Sequence, residues 1–184
     1  MKVVFDTNAF IYLSDFRGFE EIFTVSEVLD EVKDRVSSFK LSSLSLTVEE
    51  PDEESLAVVI ERPKQTGDIE ELSRTDLKVL ALALSKRLPI VSDDRNVQNV
   101  AKALNLQFIP VFSKGIKEFI VWKKFCKNCK RVFPIGIKEC PICGSRLKRV
   151  VWRRKRIQKV SHQGSRTKLN LPSSETSRKL RVSK

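Results

Sequence analysis

The 184-residue sequence is poor in histidine, in long apolar runs and, over its last third, in acids. Its one histidine, His162, lies in a polar C-terminal stretch, which excludes a mechanism built on two imidazoles and leaves His162 as a solvated side chain. No apolar segment approaches the roughly 20 residues that cross a bilayer. The first residues run into a strand pattern without the basic, apolar and small-residue succession of a leader, so a cytosolic protein with no membrane partner is expected. No internal repeat of solenoid length is present.

What the chain does have is enough length, at 41% hydrophobic content, for one ordinary globular core and a small satellite. Its formal charge of +12 is unevenly spread: residues 1–120 hold 15 Lys or Arg against 21 Asp or Glu, and residues 121–184 hold 20 against 2. So lopsided a cationic segment points to a polyanionic partner. Nucleic acid is favoured over membrane because no amphipathic apolar face accompanies the charge. The plainer reading is a basic tail that aids solubility.

Along the chain, residues 2–5 read as a buried strand and residues 9–12 as helical. Residues 19–25 lead to Ser26, an N-cap for a helix over 26–36 whose Val28, Leu29, Val32 and Val36 share one stripe. Leu44, Leu46 and Val48 alternate as in a strand. Pro51 opens a helix through Ile60, and residues 63–68 read as a loop. The run from Leu77 to Leu84 is apolar almost all round, predicting a buried helix capped by Ser73 or Thr75. Ile90-Val91 is a short buried strand, Val97, Val100, Ala101 and Leu104 mark an amphipathic helix, and residues 106–111 a last strand. Strands alternating with helices predict an α/β fold with a mostly parallel sheet. Composition shifts near residue 120, giving a large domain over 1–120, a small one over 121–152, and a basic tail over 153–184 expected to be disordered when free.

All four cysteines fall in two knuckles, Cys126-Lys127-Asn128-Cys129 and Cys140-Pro141-Ile142-Cys143. Two residues between thiolates let a tight turn aim both at one ion, and two such turns complete the tetrahedron that Zn²⁺ prefers. With four protein ligands the single Zn²⁺ would be structural, standing in for a core that so short a segment cannot build. The alternatives, a disulfide pair or a redox motif, need an oxidising compartment or only one knuckle. Lys123, Lys127, Lys130, Arg131, Arg146 and Lys148 surround the knuckles as candidate phosphate contacts, with Trp152 as a candidate base-stacking ring. Against this, Trp122, Trp152 and Phe133 could be the segment's own small core.

Three acids sit where open α/β folds place their chemistry. Asp6 follows the first strand, Asp76 opens the apolar helix, and the pair Asp93-Asp94 follows Ile90-Val91. If Asp6, Asp76 and Asp94 converge, each pair repels by about 4 kcal/mol at 4 Å in a partly screened site. A hard divalent cation, Mg²⁺ or Mn²⁺, would answer that repulsion. Glu31 lies nearest the margin of its helix's apolar stripe and is the helix acid best placed to reach inward. Thr7, Asn8 and Ser92 could hold these acids by hydrogen bonds. Taken singly, Asp76 could be only a helix-dipole residue, Asp93 or Asp94 only a cap, and Glu31 only a solvated charge.

The pattern Val4-Phe5-Asp6-Thr7-Asn8-Ala9-Phe10, then Glu31, then Ser73-Arg74-Thr75-Asp76-Leu77 and Ser92-Asp93-Asp94 resembles the PIN-domain nucleases. With the paired knuckles and basic end, residues 1–152 are similar to the archaeal branch of the Nin-one-binding endoribonuclease family. The resemblance implies a PIN-like three-layer fold followed by a small rubredoxin-like zinc ribbon. It further implies one or two Mg²⁺ or Mn²⁺ ions on Asp6, Asp76 and Asp94, with Glu31 joining directly or through water and the role of Asp93 unsettled. The activity implied is endonucleolytic cleavage of single-stranded precursor small-subunit ribosomal RNA at its 3′ end, within a pre-ribosomal particle and alongside assembly-factor proteins. The rivals are a non-catalytic RNA-binding assembly factor, a toxin-type PIN ribonuclease acting on transfer RNA, and a zinc-ribbon protein contacting DNA or transcription machinery.

Overall fold

The computed structural model describes residues 1–13, 16–32 and 45–157. Five parallel strands, β1 (Lys2–Phe5), β2 (Glu21–Thr24), β3 (Leu46–Val48), β4 (Ile90–Val91) and β5 (Phe108–Ile109), form one sheet in the order β3-β2-β1-β4-β5. The run Val3-Val4-Phe5 is fully buried, so β1 takes the central position where both faces are covered. Its register sets Val4 beside Phe23 on one side and Ile90 on the other. The chain builds outward from β1 through β2 and β3, then crosses to β4 and β5, and the carboxyl ends of β1 and β4 flank that switch point.

The helices α1 (Thr7–Tyr12), α2 (Ser26–Val32), α3 (Glu53–Thr66), α4 (Arg74–Lys86) and α5 (Arg95–Ala103) fall into two packed groups. Helix α1 packs on α2, while α3, α4 and α5 pack on one another, and both α1 and α4 meet β1. Phe5 anchors the core, its ring centroid 5.1 Å from Phe10, 5.9 Å from Phe16 and 5.1 Å from Phe19.

Several local expectations are corrected. Residues 21–24 form β2, which the sequence hides because only Ile22-Phe23 are apolar between polar neighbours. Ser26 begins α2 instead of capping it, and its hydroxyl donates to Glu50 at 2.8 Å. Pro63 does not open a loop: α3 continues to Thr66, and the Pro63 carbonyl accepts the N–H groups of Gly67, Asp68 and Ile69. The stop is Gly67, left-handed at φ 83°, as the C-cap. Strand β5 keeps only two of the six residues expected, ending before Pro110, which has no N–H for the ladder. The helix extension over 33–36, Leu44, and the tail from 158 with His162 lie outside the described residues.

A second, antiparallel sheet of β6 (Glu118–Phe125), β7 (Val132–Phe133) and β8 (Lys148–Arg156) has the order β7-β6-β8. It straddles both boundaries drawn from composition, since β6 begins before residue 120. Residues 153–156, assigned to the tail, pair with β6 from Arg153 opposite Val121 to Arg156 opposite Glu118. Four consecutive cations carry no alternating apolar signal, yet their backbone can still form a ladder while the side chains remain in water.

This sheet is seated on the first body. At Gly67 an added Cβ would stand 2.7 Å from the Trp122 carbonyl oxygen and 2.8 Å from Ile135 Cγ1. Arg149 donates to Asp68 Oδ1 and to the Gly67 carbonyl, both at 3.1 Å, and stacks over the Trp122 ring at 4.2 Å. Asn99 of α5 donates to Asp68 Oδ2 at 2.7 Å, donates to the Ile120 carbonyl and accepts from the Ile120 amide.

Candidate active site and metal centre

Asp6, directly after β1, is 4% exposed. Its Oδ1 accepts the Ala9 amide at 2.7 Å, so it is also the N-cap of α1. Asp94 follows β4 and caps α5, its Oδ1 accepting the amides of Asn96 at 2.6 Å and Val97 at 3.3 Å. Asp76 lies in the first turn of α4 within a capping box: its Oδ2 accepts the Ser73 amide and hydroxyl, each at 2.8 Å, while its own amide donates to Ser73 Oγ. The cap weighed for Asp94 is therefore real, Asp76 adds a capping-box role to the helix-dipole position weighed for it, and each uses one carboxylate oxygen. In both, the second oxygen carries none of these bonds.

Ser92 ties two acids together, hydrogen-bonding Asp6 and accepting the Asp94 amide at Oγ, 3.1 Å away. Glu31 is held from both sides. The Thr7 hydroxyl donates to its Oε2 at 2.6 Å and the Thr75 hydroxyl to its Oε1 at 2.7 Å. The sequence suggests Thr75 only as a helix cap, and the signal for this second role is the further hydroxyl beside Asp76 in Ser73-Arg74-Thr75-Asp76. Asn8 is half-buried in the first turn of α1, and its side chain has no hydrogen bond among the described residues.

The electrostatics join the acids into one group. Burial pushes Asp6 up to about 6 against hydrogen bonds from Ser92 and Ala9, and the charges of Asp76 and Asp94 add to the rise. Burial likewise raises Asp76, against its bonds to Ser73, with further pressure from Asp94 and Glu31. No described Lys or Arg pairs with Asp6, Glu31, Asp76 or Asp94. Lys78, two residues beyond Asp76, is engaged instead by Glu27 and by Glu50. The acids stand less tightly than the cysteines, and among the described residues no three of them bring oxygens within the 4.8 Å that spans the sulfurs.

Asp93 turns the other way. Its carboxylate accepts the amides of Val111 at 3.2 Å, Phe112 at 2.9 Å and Ser113 at 3.0 Å, fixing the loop after β5. Burial raises it, but bonds from Phe112, Ser113 and Val111 outweigh that and hold it below the ordinary carboxylate range.

The four cysteines are free thiols whose sulfurs all lie within 4.8 Å of one another and could hold a metal ion. Each knuckle closes on a left-handed residue, Lys130 at φ 56° and Gly144 at φ 68°. Cys126 donates its amide to the Arg131 carbonyl and Cys140 its amide to the Ser145 carbonyl. The spacings Cys126 to Cys143, 3.6 Å, and Cys129 to Cys140, 3.9 Å, bracket the about 3.8 Å edge of a tetrahedron with bonds of about 2.3 Å. Hydrogen bonds with Ser145 lower the Cys143 thiol to about 6. Leu147, Phe133 and Ile137 complete this small core. Phe133 is thus structural, and Trp122 serves the seat on the first body.

Of the candidate polyanion contacts, Lys127, Lys130, Arg131, Arg146 and Lys148 are exposed. Lys123 places Nζ 4.8 Å over the Trp152 ring, which is 44% exposed.

A family model described as the PIN domain of ribonuclease matches residues 3–85. Endoribonuclease Nob1 of Pyrococcus abyssi is 44% identical over 156 residues, covering 80% of this chain and 92% of that protein. The chain belongs to the Nob1 family. A second Nob1, from Methanothermobacter thermautotrophicus, is 38% identical over 161 residues, covering 81% of this chain and 92% of its own length. Ribonuclease VapC1 of Thermoplasma acidophilum is 41% identical over 165 residues, covering 87% and 84%. Matches of that length take in residues of both sheets. Nob1 proteins are endoribonucleases with a PIN domain, and the chain is an enzyme of that class, its α/β fold and parallel sheet as expected. No described helix is long and apolar enough to cross a membrane.

Proposed function

We propose that the chain cleaves single-stranded precursor small-subunit ribosomal RNA at its 3′ end, as a cytoplasmic step of ribosome biogenesis. The observation that carries this reading is the electrostatic grouping of Asp6, Asp76, Asp94 and Glu31 at the switch point with no described cation to balance it. Burial raises Asp6 and Asp76, with acidic neighbours adding to the rise, and carboxylate oxygens in such a setting suit Mg²⁺ or Mn²⁺. Asp6, Asp76 and Asp94 would hold one or two such ions, with Glu31 completing the site. When bound, the ion activates a water for attack on phosphorus and offsets charge on the phosphate and leaving oxygen.

The chain's own part is positioning. Capping bonds fix one oxygen each of Asp6, Asp76 and Asp94, and Thr7, Thr75 and Ser92 lock Glu31 and Asp6, so little reorganisation is needed on ion or substrate binding. The acids themselves repel RNA, so affinity must come from elsewhere. The ribbon, stabilised by one Zn²⁺ on Cys126, Cys129, Cys140 and Cys143, supplies Lys123, Lys127, Lys130, Arg131, Arg146, Lys148 and Trp152 for backbone and base. In this division the residues before β6 are the nuclease domain, the ribbon sheet from Glu118 to Arg156 follows, and the basic tail beyond it adds charge.

Cleavage of a precursor spanning the 3′ end is measured with Mn²⁺ for the wild type and Asp6→Asn, with transfer RNA offered in parallel. The expected result is a loss of at least about 100-fold for the variant with precursor binding retained. Full activity of Asp6→Asn would remove the site, and cleavage of transfer RNA alone would move the reading to the toxin-type class.

A further inference from the structure

Two aromatic rings stand in water, one at the far end of the helix that Asp6 caps and one on the loop that Asp93 holds. Tyr12, at the last turn of α1, is 56% exposed, and Phe112, just after β5, is 63% exposed, yet they meet edge to face with centroids 5.9 Å apart. A pair of this kind contributes about 1 kcal/mol, far less than burying either ring would return, so packing alone does not account for leaving both faces open. Both are joined to the acids through the fold. Tyr12 rides on the helix that Asp6 caps, and the Phe112 amide is bound by Asp93, the immediate neighbour of Asp94. The same loop continues through Ser113 into a cleft of about 830 Å³ between α5 and β6, where Arg95, Lys114 and Lys117 are exposed. None of these three cations is ion-paired among the described residues.

We propose that Tyr12 and Phe112 form a base-stacking platform that receives a nucleotide next to the cleaved bond of single-stranded RNA, while Arg95, Lys114 and Lys117 take the phosphates that follow it along the cleft. This rests on the nuclease reading above and gives that site its substrate track. Aromatic faces with unpaired cations beyond them match a single strand, whose bases are unstacked and whose phosphates follow at regular spacing. A duplex keeps its bases inside and offers none to the rings. Asp93 then has a purpose that metal binding does not require: by fixing the loop amides it presents the Phe112 ring.

The test uses the full zinc-loaded chain carrying Asp6→Asn, so that bound RNA is not cut, and 12-nucleotide single strands with 2-aminopurine placed at successive positions. The fluorescence of one position should be quenched by stacking. Phe112→Ala and Tyr12→Ala should abolish that quench and weaken binding about 10-fold, with Phe112→Trp restoring both and Lys114→Ala weakening binding without removing the quench. Binding that stays tight in Phe112→Ala, with the quench unchanged, overturns the platform and leaves the nuclease reading intact. A wild-type chain that neither binds nor cleaves RNA overturns both. Loss of RNA binding in Phe112→Ala that Phe112→Trp does not restore overturns stacking in favour of a packing role for the loop.

Discussion

The Thr75 hydroxyl donates to Glu31 Oε1 across 44 residues of sequence, joining the first turn of α4 to the last turn of α2. With Thr7 on the other oxygen, both Glu31 oxygens are held, and the charge of Glu31 acts on Asp76. Thr75→Val keeps the shape and removes the donor, so Glu31 should lose its aim and α4 should keep its fold. The expected outcome is a 10–100-fold rise in the Mn²⁺ concentration needed for half-maximal cleavage, with the melting temperature nearly unchanged. A titration of activity against Mn²⁺ checks this. An unchanged midpoint would mean that Glu31 acts independently of its hydroxyl partners.

The acid positions were legible because Asp6 and Asp94 each end an apolar run and Asp76 sits at the head of one, patterns that survive in one dimension. The hydroxyl belonging to Glu31 was not, because a threonine beside a helix start looks like a cap and its true partner lies 44 residues away. Asp93 was undecidable for a related reason: neighbours in sequence, Asp93 binds the loop amides of residues 111–113 whereas Asp94 caps α5, and only the fold of that loop distinguishes them. The knuckles were the easiest feature, since both ligand spacing and the turn are local. The seat of the second sheet was invisible. It depends on Gly67, which looks like an ordinary helix stop, and on Arg149, which looks like one cation among many.

Asp6 makes stability depend on pH in a defined direction. Its folded pKa, about 6, lies above the ordinary carboxylate value of 3.8, so the folded, metal-free protein holds this proton more tightly than the unfolded chain. The group therefore lowers stability as pH rises from about 4 to about 6, by on the order of 3 kcal/mol once both states are ionised. Asp6→Asn keeps an oxygen for the Ala9 amide and removes the charge. In the absence of Mg²⁺ and Mn²⁺ it should melt several degrees above wild type at pH 7.5 and no higher at pH 4. Adding Mn²⁺ should raise the wild type and leave the variant unmoved. Calorimetry at the two pH values, with and without the ion, reads all four arms.

Zinc removal should separate the two sheets functionally. The cluster around Cys126, Cys140 and Leu147 is too small to persist alone, whereas β1 through β5 enclose a core of their own. Metal analysis should find one Zn²⁺ per chain. Stripping it should reduce RNA affinity at least about 10-fold while the main thermal transition remains. Filter binding at several salt concentrations should also show a shallower salt slope after stripping, because fewer phosphates are then neutralised. Unchanged affinity would take RNA binding away from the ribbon.

Gly67 should be the most sensitive position outside the sites. It is left-handed at φ 83°, and a Cβ there would stand 2.7 Å from the Trp122 carbonyl and 2.8 Å from the Trp122 Cβ, both parts of β6 that cannot swing aside. Gly67→Ala therefore combines backbone strain with overpacking, each costing about 1 kcal/mol or more. The second sheet would have to lift, and with it Arg149 would leave Asp68, whose carboxylate is fully buried. An uncompensated buried acid adds to the cost, so the expected loss exceeds about 2 kcal/mol in urea unfolding. Because the acids at the switch point are built on β1, α2, β4, α4 and α5, the variant should still bind Mn²⁺ but cut RNA poorly. A Gly67→Ala protein with wild-type stability and wild-type cleavage would mean the two sheets need not be seated on each other for function.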